Sequence, residues 1–85
     1  MTWILQVTKP AEKDLRRLPA RDRERVRAAL LVTQADPFSG DINRLKSQPT
    51  GWRRRCGEYR IFYDLYPAQG LIVVVAITRR TSTTY

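Results

Sequence analysis

The chain has 85 residues, 42% of them hydrophobic, with sixteen Lys and Arg against eight Asp and Glu and a net charge of +8. That is enough for one modest core, so a single domain over residues 1–85 is expected. One cysteine and no histidine exclude an internal disulfide and remove the commonest zinc ligand and general base, and no apolar run reaches the roughly 18 residues of a membrane span, so no metal, cofactor or membrane is expected to take part.

Met1 leads directly into a strand-like segment, Trp3 to Thr8, without the basic region and cleavage site of a secretion signal, which points to the cytoplasm. Thr8, Pro10 and Glu12 then form a helix start, with a hydroxyl near the cap, proline in the first turn and an early acid. Ala11, Leu15 and Leu18 recur at helical spacing, so a short helix is expected from Pro10 to Leu18. Pro19 breaks it. A second helix is expected from Ala20 to Ala35, with Val26, Ala29, Leu30 and Thr33 as its apolar stripe and Arg21, Arg23, Arg25 and Arg27 on its other faces. Charges so placed are ordinarily a solvated outer face, with docking on nucleic acid as the alternative.

Asp36-Pro37 ends the helix, and the stretch to Gly51 reads as a loop in which Phe38, Ile42 and Leu45 could pin the chain to the domain. Arg44 and Lys46 add charge beside the adjoining hairpin. Trp52 to Leu65 (WRRRCGEYRIFYDL) reads as two strands closed by Gly57-Glu58, with glycine supplying positive φ at the first central position. Counting back from that turn sets Cys56 opposite Tyr59, Arg55 opposite Arg60, Arg54 opposite Ile61, Arg53 opposite Phe62 and Trp52 opposite Tyr63. One face then carries Trp52, Cys56, Tyr59, Ile61, Tyr63 and Leu65, and the other carries Arg53, Arg55 and Arg60. Opposed arginines repel, so this arrangement serves a polyanion rather than stability. Arg54 falls on the apolar face in this count, which requires either snorkelling at a sheet margin or a register one residue off. Cys56 reads as a small core residue.

Tyr66 to Gly70 is a turn, and Leu71 to Ile77 (LIVVVAI) is an unbroken apolar run, the mark of a central, covered strand. A polar tail from Thr78 to Tyr85 closes the chain with Arg79 and Arg80. The expected fold class is α+β, in the order β-α-α-β-β-β. A small twisted antiparallel-rich sheet would carry a two-helix hairpin on one face and leave Arg53, Arg55 and Arg60 on the other.

This order of segments, with LPARDRERV, DPFSGDINRLKS, WRRRCGEYRIFY and the closing ITRR…Y, resembles the RelE/ParE superfamily of toxins from type II toxin–antitoxin pairs over essentially the whole chain. The most specific part is the G-[DE]-Y-R-[IVL]-x-Y hairpin preceded by alternating basic residues. The resemblance implies a RelE-like fold and a cognate antitoxin that is acidic in its toxin-binding segment. It also implies one of two activities: ribosome-dependent cleavage of mRNA in the A site (RelE-like) or poisoning of DNA gyrase (ParE-like). An inactive binding relative is a third outcome. Arg53, Arg55, Arg60, Arg79 and Tyr85 occupy the five positions of the RelE-like catalytic set, so the resemblance makes RelE-like mRNA cleavage, by attack of the 2′-hydroxyl on the adjacent phosphate, the expected activity. Arg55, Arg60 and Arg79 are the expected phosphate clamp, and Tyr85 would stack on a base or relay a proton. Arg44, Lys46, Arg54 and Arg80 are expected to contact RNA or the ribosome. RelE-like members often carry Lys at the two positions held here by Arg53 and Arg55, and arginine is a poor general base.

Overall fold

The computed structural model describes residues 3–48 and 50–79. The elements in chain order are β1 (Ile4–Val7), α1 (Lys9–Arg16), α2 (Ala20–Ala35), β2 (Ile42–Arg44), β3 (Gly51–Cys56), β4 (Tyr59–Tyr66), a 3-10 turn (Pro67–Gln69) and β5 (Leu71–Arg79). The strands form one five-stranded sheet in the order β1-β5-β4-β3-β2, with β1 parallel to β5 and the other neighbours antiparallel. The α+β class and the helical hairpin over a mixed sheet are as expected. The fifth strand corrects the expected loop. Ile42–Arg44 is too short to carry an alternation of its own, and it becomes a strand only because β3 offers an edge, pairing Ile42 with Arg54 and Arg44 with Trp52.

Thr8 starts α1 as expected, its hydroxyl accepting from the Ala11 amide at 3.3 Å. The same hydroxyl donates to the Val75 carbonyl at 3.4 Å, tying the helix start to β5. Beyond Val7 the β1 ladder ends, and the Asp14 carboxylate of α1 takes its place by accepting from the Ile77 amide at 3.1 Å. α2 buries Val26, Leu30 and Thr33, three of the four stripe residues, with Ala29 packed beside them. No helix among the described residues is long and apolar enough to cross a membrane.

The helices cover one sheet face, the inner one. Along β4 the residues Tyr59, Ile61, Tyr63 and Leu65 are buried, while Arg60, Phe62, Asp64 and Tyr66 between them are half-exposed. β5 is an interior strand, between β1 and β4, where the apolar run predicts a central one, and it buries Ile72, Val74 and Ile77. Val73 and Val75 are only half-buried, because the helices form a layer on one side alone. The spacing from Val74 to Ile77 breaks strict alternation, and a bulge supplies the reason. Tyr63 pairs with Val74 but Phe62 pairs with Ala76, so Val75 is the extra residue that returns Ile77 to the core.

Candidate nucleic-acid interface

The β3–β4 hairpin has the register counted from the sequence, pair for pair, from Trp52 opposite Tyr63 to Cys56 opposite Tyr59. Gly57 has φ 58° and, among the described residues, no non-glycine residue has positive φ, the pattern of a two-residue link with glycine first. Arg55 and Arg60 are therefore direct cross-strand neighbours, and Arg53 is two residues from Arg55 on the same side. All three project from the open face, opposite the helices. Arg55 is exposed, and Arg53 and Arg60 are half-exposed. Among the described residues none of the three is in an ion pair. Directly opposite Arg53 on β4 lies Phe62, an aromatic ring within the basic cluster. The alternation that assigns Arg60 to this face also assigns Phe62, but an apolar residue in a strand reads first as core.

Arg79 is not with them. It pairs with Tyr59, so its side chain leaves β5 on the inner side, where it meets the turn residue Glu58 at 3.1 Å in an exposed ion pair. The bulge is the cause. Had the register of Tyr63 with Val74 continued without the extra residue, Arg60 would face Ile77 and Arg79 would share the open face. The expected clamp of Arg55, Arg60 and Arg79 is thus split between the two sides of the hairpin's end. Arg80 and Tyr85, the other expected contacts from the tail, lie outside the described residues.

Arg54 is corrected by its surroundings. It is 5% exposed and on the inner face, its guanidinium donating to the Ser39 carbonyl at 2.8 Å and lying against Gly40, where a Cβ would meet Nη1 at 2.7 Å. The register holds, and the arginine is buried on the inner face rather than snorkelling at a sheet margin. It fastens the 36–41 loop to β3, and the Tyr63 hydroxyl fastens the same loop by donating to the Pro37 carbonyl at 3.0 Å. Arg44 and Lys46 are exposed at the β2 margin, and Arg44, paired with Trp52, leaves the strand on the inner side. Arg44 therefore does not share the open face with Arg53, Arg55 and Arg60.

Behind the arginines the hairpin tip is held to α2. The Tyr59 hydroxyl donates to the Asp22 carboxylate at 2.7 Å, and that bond, then burial, pushes the phenol pKa up. Burial likewise raises the Cys56 thiol, against the opposing pull of Arg25 and Arg54, while its Sγ donates to the Arg25 carbonyl at 3.8 Å. A thiol held protonated is no nucleophile, in keeping with a packing role. The open face can therefore bind phosphate through guanidinium groups and stack a base on Phe62.

A model of the ParE toxin of the type II toxin–antitoxin system parDE matches residues 5–83. Among solved structures, the chain is similar to the toxin–antitoxin complex RelBE2 of Mycobacterium tuberculosis, with TM-score 0.83 and 20% identity over 94% of this chain and 100% of that one. The isolated RelE toxin of E. coli superposes with TM-score 0.82 at 19% identity, covering 95% and 87%. The archaeal RelE–RelB complex of Pyrococcus horikoshii OT3 gives 0.82 at 22%, covering 98% and 100%. At such identities these structures speak for the fold alone. No curated protein matches the chain in sequence.

Proposed function

The chain belongs to the ParE toxin family of type II toxin–antitoxin systems, and from that premise we propose that it is a ribosome-dependent endoribonuclease that cuts mRNA in the A site. The observation that carries this reading is the pair of opposed arginines, Arg55 and Arg60, with Arg53 beside them and Phe62 among them on the open sheet face. A fold gains nothing from like charges placed across a ladder, whereas a pentacoordinate phosphoryl group needs them. The 2′-oxygen attacks the adjacent phosphorus, the bond from phosphorus to the 5′-oxygen breaks, and charge builds on the oxygens that guanidinium groups can hold two at a time. Arg55 and Arg60 are assigned to that charge, Arg53 to the neighbouring backbone, and Phe62 to a base stacked beside the cut. The arginines act by charge, so the 2′-hydroxyl proton is relayed through the Tyr85 hydroxyl, which passes on its own, or through a group of the ribosome, to the 5′-oxygen, which leaves as an alcohol. Arg79 and Arg80 are assigned to binding the flanking strand.

The proposed partners are therefore mRNA, the ribosome and a cognate antitoxin, since related toxins have been solved in complex with theirs. Gyrase inhibition is the second reading. It is favoured by the ParE description of the matching model and by the displacement of Arg79 from the arginine face. Induction in growing cells separates the two. Cuts at defined codon positions in translated messages, without breaks in DNA, support the first, and double-strand breaks with intact messages support the second.

A further inference from the structure

Among the described residues, Asp64 is the one acidic residue in any strand, and it stands on the arginine face. It follows Arg60 and Phe62 at alternate positions of β4, half-exposed, opposite Gly51 of β3 and Val73 of β5, neither of which offers its carboxylate a side-chain donor. Although Arg53 lies diagonally across the ladder, the two form no ion pair. Instead Asp64 Oδ1 accepts from the Thr50 hydroxyl at 3.3 Å. Thr50 is itself fixed beside β4, its carbonyl accepting from the Leu65 amide at 2.9 Å. The 45–48 turn folds over Gly51, where a Cβ would meet Leu45 at 3.0 Å and the Gln48 side chain at 3.1 Å, so the open face is walled at this end.

A carboxylate on a face that binds a polyanion repels the backbone that the arginines attract. It only accepts hydrogen bonds, so what it can take from RNA is a donor on a base edge or a 2′-hydroxyl. Along β4 it lies about 7 Å from Phe62 and about 13 Å from Arg60. It is thus too far from a phosphate held by Arg55 and Arg60 to share in the chemistry there, and beside the edge of a base lying on the Phe62 ring. We propose that Asp64 reads that base and selects guanine, a proposal that rests on the nuclease reading above. The pairing edge of guanine sets two donors side by side, the ring N–H and the exocyclic amine, and a carboxylate can accept both. Adenine and cytosine set a ring acceptor beside their amine, and uracil flanks its one N–H with two carbonyls, so each places an acceptor against the carboxylate. Thr50 orients the group. Were Asp64 only a tie to Thr50, asparagine would serve as well, since its amide oxygen accepts the same bond.

The test is single-turnover cleavage by the full chain on ribosomes programmed with messages that differ only in the bases flanking the cut. At one of those positions the wild type should cut guanine about 5–150-fold faster than the other three bases, the discrimination of one bidentate pair. Asp64→Asn keeps the size of the side chain and the acceptor for Thr50 but adds a donor, which matches the donor and acceptor of adenine. The preference should move from guanine to adenine, with the melting temperature within a few degrees of wild type. Thr50→Val loosens the carboxylate and should narrow the guanine preference without reversing it. A wild type that cuts all four bases equally, or an Asp64→Asn protein that still prefers guanine, overturns the assignment and leaves the nuclease reading standing. An equal loss at all four bases in Asp64→Asn also overturns it, by making the carboxylate part of the chemistry. A wild type that cuts no message sinks the nuclease reading and this one with it.

Discussion

Replacing Arg60 by glutamine removes one charge from the arginine face while keeping most of the aliphatic stem. Arg60 sits across from Arg55, so their Cβ atoms lie about 5 Å apart, and two repelling side chains of this length can hold their charges about 7 Å apart. At about 7 Å, two unit charges repel by about 0.6 kcal/mol in bulk water and about 2.4 kcal/mol at an effective dielectric of about 20. Exposure of Arg55 to solvent favours the lower figure, so relief of about 0.5–1 kcal/mol is expected at low salt. In a domain of this size that raises the melting temperature by about 2–6 °C. The gain should fade in about 1 M salt, where the screening length is about 3 Å. The same substitution should weaken RNA cleavage by about 10²–10³-fold, the effect of losing one donor to a developing oxyanion. Calorimetry at both salts and single-turnover cleavage on programmed ribosomes read the two arms. A variant that melts several degrees lower at low salt would show that Arg60 is a structural member of the hairpin. A variant that melts higher and cleaves at the wild-type rate would move the site elsewhere.

Alkaline stability depends on three protonated groups, Tyr59, Tyr63 and Cys56, each with its pKa raised in the fold. Their stabilising contribution is whole below the ordinary values of 9.0 for the thiol and 10.0 for the phenols, and it is lost as pH rises through the higher folded values. The melting temperature should hold to about pH 9 and then fall, and Tyr59→Phe should remove part of that fall; a profile flat to about pH 11 would contradict the burial of these groups. Val74→Asp puts an unpaired charge at a residue that is 0% exposed, which should cost several kcal/mol and leave no cooperative thermal transition near the wild-type one. Gly40→Ala sets a Cβ against the Arg54 guanidinium at φ 85°, and a loss of about 1–3 kcal/mol in urea unfolding is expected. An unchanged midpoint would mean that the loop is not fastened by Arg54.

The hairpin is legible in the sequence because a glycine turn and strict alternation fix a register by counting, and Arg55 and Arg60 are the second pair from the turn. The two helices come from caps, prolines and a 3.6-residue stripe. What escapes a local reading is set by non-local partners. Ile42–Arg44 is a strand only through the edge that β3 lends it. Arg54 is tolerated in the core because the Ser39 carbonyl, from the loop that follows α2, folds back to meet it, and no local pattern announces that. Arg79 stands on the other side of the sheet from the arginine face because a bulge at Val75 adds one residue to the count, and the run LIVVVAI looks the same with or without it.

The central claim is that the open-face arginines cut messages on the ribosome. Mapping RNA 5′ ends across the transcriptome after brief induction of the wild-type toxin and of Arg55→Ala with Arg60→Ala tests it most directly. The wild type should produce cuts in phase with reading frames, absent from untranslated RNA and from naked transcripts in vitro, and the double variant, folded normally, should produce almost none. In-phase cuts that persist in the double variant, or growth arrest by the wild type with intact messages and broken DNA, would contradict it.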